Sequence, residues 1–253
     1  MSRQDLEAEG AAWAGFDWSQ ERYENLITRV VPDYFEQESL FVDAVREVAP
    51  DEGHGPFRVL ELGAGTGTLS RLLLQTFPRV GVTAMDVSAV MLAACRQTLA
   101  PFGERARVVE GDFVSDALGS GYRAVVSRLA IHHLNDPGKE TLFGRVFAAL
   151  DAGGVFVISD MIAGATPEES AALMAEWRDY MVARGDDPDE WLQWLVRDDD
   201  LPASVQAQMA WLRATGFEDV RVIWRRAGFA MLRARRTDSP PVFGVGCLPG
   251  GMG

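Results

Sequence analysis

A short apolar run, FRVLEL (Phe57–Leu62), ends abruptly in three closely spaced glycines, Gly63, Gly65 and Gly67, and a helical pattern begins at Thr68. Glycine takes positive φ without a Cβ penalty and lets a ligand approach the main chain. A buried strand that turns directly into a helix is the opening unit of an open α/β sheet. Its turn lies at the carboxyl edge of the strands, where such sheets bind ligands.

The next hundred residues repeat the alternation. VGVTAMD, RARVVEG, YRAVVSRLA and GVFVISD are short runs rich in valine and isoleucine. Between them lie helical stretches at Thr68–Phe77, Ala89–Leu99 and Lys139–Leu150. The runs are nearly continuous in apolar residues, as strands covered on both faces are. The pattern predicts a doubly wound, mostly parallel sheet with helices on both sides.

The flanks read differently. Residues 1–50 carry apolar residues at helical spacing, with Pro32 marking a joint, and are expected to form an N-terminal helical cap. The core spans 51–160. Residues 161–203 hold helical segments without a convincing strand and are expected to form a lid. Residues 204–236 supply a last helix (Ser204–Thr215) and two strands, VRVIW and GFAMLRARR, joined by a hairpin through Arg226-Ala227-Gly228. The glycine- and proline-rich stretch 237–253 reads as a flexible tail.

Charge narrows the partners. The 253 residues carry 24 basic and 37 acidic side chains, a net −13 at pH 7, which disfavours nucleic acid and anionic membranes. Cys95 and Cys247 lie far apart and form no metal-binding pair. With no apolar stretch of membrane-spanning length, the expected setting is cytoplasmic.

Three features fall in register with the glycine turn. Glu61, just before it, is placed to attract an ammonium group, and the Gly63-Ala64-Gly65 backbone can receive the same end of a ligand. Asp86 closes the second run and can accept hydrogen bonds from ribose hydroxyls, with Val87 and Met91 as neighbouring contacts. Asp112 and Phe113 follow the third run, one suited to an exocyclic amine and the other to an adenine ring. A dinucleotide fingerprint wants a further glycine where Thr68 stands, facing a pyrophosphate. An adenosine with an amino-acid tail and no phosphates fits better: S-adenosylmethionine (SAM).

With VLELGAGTG, the acid of MDVS, GDF, SRLAIHHL and LDAGGVFVISD all in order, residues 57–160 resemble the class I SAM-dependent methyltransferases. The resemblance implies a seven-stranded sheet with a reversed final strand, SAM as cofactor and S-adenosylhomocysteine (SAH) as product. VPDY near the N-terminus and TGFEDVRVIWRRAGFAMLRAR near the other end are similar to the carboxy-SAM synthase branch. That likeness implies cofactor contacts by Tyr34 and Ser127. The branch has glycine where this chain has Asp33, and its arginine-rich site for an extra carboxylate finds no counterpart here. The topology and cofactor contacts carry over; the branch's special reaction does not.

His132 and His133 follow the fourth strand and are the candidate catalytic bases toward a hydroxyl or amine, the alternative being that they belong to the scaffold of the motif. None of the seven tryptophans lies within 55–160; those in the flanks would either line an apolar acceptor cavity or fasten the lid. Seven acids between Asp186 and Asp200 read as a solvated face. Asp160 ends the fifth strand without a recognisable companion set, so no metal site is expected. The expected function is methyl transfer from SAM to a small-molecule acceptor at an O or N nucleophile. The alternatives are SAM modification of the carboxy-SAM synthase kind or a non-catalytic SAM-binding module. A homodimer stays open.

Overall fold

The computed structural model describes residues 20–50, 55–195 and 200–237. The proposed tail from 238 onward, Trp13 and Trp18 lie outside the described residues. Seven strands form one sheet: β1 (Phe57–Leu62), β2 (Val80–Asp86), β3 (Ala106–Glu110), β4 (Tyr122–Arg128), β5 (Leu150–Met161), β6 (Glu218–Arg226) and β7 (Phe229–Arg235). Their order is β3-β2-β1-β4-β5-β7-β6. All neighbours are parallel except β7, which runs antiparallel to both β5 and β6. The expected doubly wound, mostly parallel seven-stranded sheet with a reversed last strand is the one observed.

Eight α-helices accompany the sheet among the described residues: α1 (Gln20–Val30), α2 (Tyr34–Arg46), α3 (Thr68–Thr76), α4 (Ala89–Leu99), α5 (Asp136–Ala149), α6 (Pro167–Ala183), α7 (Pro188–Leu195) and α8 (Val205–Thr215). Alternate residues of each strand feed opposite cores. Val59, Val82, Ala84, Val126 and Val157 pack with α2, α3 and α4 on one face. Leu60, Leu62, Val125, Phe156 and Ile158 pack with α5 and α8 on the other. Burial on both faces explains why these strands read as unbroken apolar runs.

The N-terminal segment is divided between two roles. Phe41, Val42, Val45 and Val48 share the core cluster of the central strands, so α2 is a layer of the sheet rather than a cap. Its helical spacing gives α2 an apolar face fitted to the valines of the strands. By contrast, Leu26, Ile27 and Val30 of α1 pack with Trp177 and Met181 of α6 and with Phe229. Trp177 Nε1 donates to Val30 O at 2.7 Å, and its ring meets Phe229 edge-on at 4.9 Å. This tryptophan fastens the segment after β5 to the N-terminus and does not line a cavity.

Local chemistry sets the boundaries. Ser88, Asn135, Thr166 and Ser204 each cap a helix by accepting a backbone N–H with the side chain. Ala227 and Gly228 both take positive φ, 45° and 81°, as a two-residue hairpin of the primed type requires. Register aligns Leu62 of β1 with Met85 of β2 and Ser127 of β4. Three strands therefore end together where the sheet order reverses, which is where ligands meet such folds.

Candidate active site

The first wall of the site is the turn after β1. Gly63, Gly65 and Gly67 have φ of 70°, 53° and 84°. At Gly63 the need is also steric, because a Cβ there would lie 2.2 Å from Ala130 Cβ. The turn is held to β2 by Gly63 and Ala64 N–H donating to Met85 O. An open pocket at this turn is lined by Tyr34, Glu61, Gly63, Ala64, Gly65 and Thr66, together with Arg128 and Leu129. Five of the residues singled out from the sequence thus share one pocket.

Glu61 is 2 % exposed and accepts from the Ser70 hydroxyl. Burial pushes its pKa up to about 7, against the lowering effects of Ser70 and the Arg128 guanidinium. A carboxylate in this position lacks solvent and gains from a cationic ligand. Thr66 Oγ1 also lines this wall, buried and without a hydrogen-bond partner among the described residues. A buried acid and an orphaned hydroxyl beside a glycine turn fit the charged amino-acid end of SAM.

Tyr34 starts α2 and is 6 % exposed, and the Arg128 guanidinium lies 4.3 Å from the centre of its ring. Burial raises its pKa above the ordinary phenol value despite Arg128. Asp33, before it, has φ 49° and ψ 40°, and its carboxylate pairs with Arg226 at 2.7 Å. Aspartate is among the few residues that tolerate this left-handed conformation. The departure from glycine therefore preserves the backbone path into Tyr34.

Asp86 closes β2 and accepts N–H groups from Gly65 and from Ser88, each at 2.8 Å. Burial raises its pKa; those backbone donors and the nearby His133 act the other way. It stands beside the pocket, with Val87 next in the turn and Met91 in the first turn of α4, its N–H bonded to Ser88. Phe113 approaches the turn, its Cε1 3.9 Å from where a Gly63 Cβ would lie. Asp112 orders its own loop, accepting from Val114 N–H at 2.8 Å and from the Ser115 hydroxyl at 3.1 Å.

Ser127 departs from expectation. It is fully buried and its hydroxyl donates to Leu62 O at 2.9 Å. β4 runs on to Arg128, so Ser127 is an interior strand residue, and Arg128 and Leu129 face the pocket. Leu129 has φ 55°, a strained value for a bulky side chain, at the pocket wall.

The histidines form a second wall on the same sheet edge, in the short 3-10 turn Ile131–His133. They do not line the pocket around Glu61. His132 Nδ1 lies 2.5 Å from Asp160 Oδ1, while Asp160 Oδ2 accepts the N–H groups of Ile131 and His132 at 2.8 and 3.0 Å. Burial opposes charge on the His132 ring, but the charge and hydrogen bond of Asp160, with Asp200, outweigh it and raise its pKa. Asp160 is held below the ordinary carboxylate range, with His132 overcoming the effect of burial.

Asp200, expected on a solvated acidic face, is enclosed instead. Its side chain is 3 % exposed, 2.9 Å from His133 Nδ1 and 3.7 Å from His132 Nε2. The adjoining Leu201 is gripped at both ends: its N–H donates to His132 O at 2.8 Å, and its carbonyl accepts from Lys139 Nζ at 2.5 Å. Composition hid Asp200, because nothing local distinguishes it from its acidic neighbours. Arg128 and Thr66 carried the signal of position alone, each beside a motif already recognised.

A family profile described as a methyltransferase domain matches residues 59–154. The carboxy-SAM synthase of Nautilia profundicola is 22 % identical over 210 residues, 82 % of this chain and 88 % of the relative. The malonyl-[acyl-carrier protein] O-methyltransferase of Chlorobium phaeovibrioides is 36 % identical over 138 residues, 52 % of this chain and 50 % of the relative. Among solved structures, an O-methyltransferase family 2 protein of Planctomyces limnophilus, in complex with apigenin, superposes with TM-score 0.59 at 16 % identity. That match covers 94 % of this chain and 62 % of the other. Structures in complex with SAM and with SAH are also among the matches. Residues 59–154 thus form a methyltransferase domain of the class I SAM-dependent kind, with SAM as its cofactor.

Proposed function

We propose that this chain transfers a methyl group from SAM to a small-molecule acceptor at an oxygen or nitrogen nucleophile. The observation that carries the reading is Glu61: a desolvated carboxylate facing the pocket of a glycine turn, where the cofactor's ammonium group would balance it. SAM supplies an electrophilic methyl group, so the hard chemistry belongs to the cofactor. The protein's task is to align the acceptor and exclude water, which in favourable cases lowers a barrier by about 7–11 kcal/mol.

In this reading Glu61 and the Gly63-Ala64-Gly65 backbone hold the amino-acid end. Asp86 holds the ribose beside Val87 and Met91, and Asp112 and Phe113 meet the adenine. Tyr34 covers the cofactor from α2. His132, whose ring is set by Asp160, or its neighbour His133, takes the acceptor's proton. The segment from α6 to Asp200 selects the acceptor. An acidic chain with two cysteines suits a cytoplasmic setting.

Coverage of 88 % of a carboxy-SAM synthase favours a second reading, modification of the cofactor itself. Mass spectrometry separates the two. After incubation with SAM and a panel of phenols, amines and carboxylates, methyl transfer yields SAH with an acceptor heavier by one methylene. Cofactor modification yields a SAM heavier by a carboxyl group together with the decarboxylated product of one panel carboxylate, and neither SAH nor a methylated acceptor.

A further inference from the structure

The wall formed by His132, His133, Asp160 and Asp200 holds more polar chemistry than proton removal needs. Two carboxylates, 4 % and 3 % exposed, face two imidazoles at the end of β4 and β5. Buried charges of one sign require compensation. Lys139 offers some, but its ammonium is committed to the carbonyls of Leu134 and Leu201, with Asp136 at 3.7 Å. We propose that His132, His133 and Asp200 form a binding site for a divalent transition metal of the Zn²⁺ class, with Asp160 as the carboxylate that orients His132.

Geometry supports this independently of charge. One ligand atom from each of the three residues lies within 4.8 Å of the others. His132 Nε2 and His133 Nδ1 are 3.7 and 2.9 Å from Asp200 Oδ1. Ligands about 2.0–2.1 Å from a tetrahedral zinc lie about 3.3 Å from one another, between those two values. The outer partner is in place as well. Asp160 engages Nδ1 of His132 at 2.5 Å, which puts the proton on that nitrogen and directs the Nε2 lone pair toward Asp200. A ligating histidine that gives its other ring N–H to a carboxylate is the usual arrangement around bound zinc. Two imidazoles and one carboxylate leave at least one coordination position open.

The elements are positioned by unrelated parts of the chain. The 3-10 turn after β4 supplies both histidines, β5 supplies Asp160, and Leu201 is clamped from both sides so that Asp200 is carried to the rings. The inference deepens the proposed function, resting on the reading that an acceptor docks at this edge. A metal here would bind an acceptor oxygen through its open position and ease loss of its proton, so that the two imidazoles would serve that step as ligands in place of the base named above.

The test uses untagged, metal-stripped full-length protein titrated with Co²⁺, followed by visible absorption, and with Zn²⁺ by calorimetry. Equimolar binding with the absorption of a low-coordinate cobalt site is expected. Asp200→Asn and His133→Ala should weaken Zn²⁺ affinity by at least about 100-fold, and Asp160→Asn by about 10–100-fold. SAH-induced thermal stabilisation serves as the folding control in every variant. Absence of equimolar binding in the wild type, or equal affinity in the three variants, overturns the site. The SAH shift itself reports on the methyltransferase reading, so the two can fail separately.

Discussion

Asp86 accepts the backbone N–H of Gly65 at 2.8 Å, so the acid that closes β2 also holds open the turn that closes β1. One carboxylate therefore serves the shape of the pocket and, in the proposed function, the ribose of its ligand. Asp86→Ala should weaken SAM binding by about 1–3 kcal/mol, the usual range when a buried partner loses its hydrogen bonds. Isothermal calorimetry measures it directly. Unchanged affinity would remove Asp86 from the ribose site.

Glu61 gives a pH dependence of definite sign. In the unfolded chain it titrates near 4.5 and in the folded chain near 7. Between those values the folded state binds more protons, so stability falls as pH rises, by at most about 3 kcal/mol for this group. A bound ammonium offsets that penalty. SAH should therefore stabilise the protein more at pH 8 than at pH 5.5, and Glu61→Gln should abolish the difference. Equal shifts at both pH values would contradict the role given to Glu61.

Gly63→Ala combines a positive φ with a contact that cannot be relieved by a flexible side chain. The strain and overpacking together should cost about 2–4 kcal/mol. Urea unfolding of the variant measures this loss. A variant as stable as the wild type would mean that the turn and Ala130 are farther apart than described.

Removing the His132 ring should lower turnover by about 10²–10⁴-fold, the range of a positioned acid or base. Affinity for SAH should stay near the wild-type value, because the histidines do not line the pocket around Glu61. If neither His132→Ala nor His133→Ala slows transfer, this wall is not part of the chemistry.

Trp177→Phe keeps a ring against Phe229 and deletes the donor to Val30 O. The orphaned buried carbonyl should reduce stability by about 1–3 kcal/mol. Protease sensitivity in α1 and α6 should rise with it. A neutral result would show that α1 is held by its apolar contacts alone.

The sequence made the sheet legible where pattern and position coincide. β1 and β2 occupy the residues read from FRVLEL and VGVTAMD, because two-sided burial writes an uninterrupted apolar run. β5 was harder: it starts at Leu150, the residue that closed the expected helix, four residues ahead of the run GVFVISD. The register shift between Tyr122 and Ala124 marks where β4 accommodates that irregular start. Glu61, Gly63 and Asp86 were legible because each sits at a strand end. Asp200 was not, since its partners come from a distant turn and only tertiary folding brings them together. Ser127 was expected from the family likeness alone, and its burial within β4 is set by the packing of neighbouring strands.

The central claim is that the pocket at the glycine turn takes SAM. A thermal-shift titration with SAM, SAH, NAD and NADP side by side tests it most directly. At 100 times its dissociation constant a ligand adds about 2.7 kcal/mol, or roughly 2–4 °C in Tm for a chain of this size. Shifts with SAM and SAH alone are predicted. No shift with either, or a shift with NAD, would contradict the account.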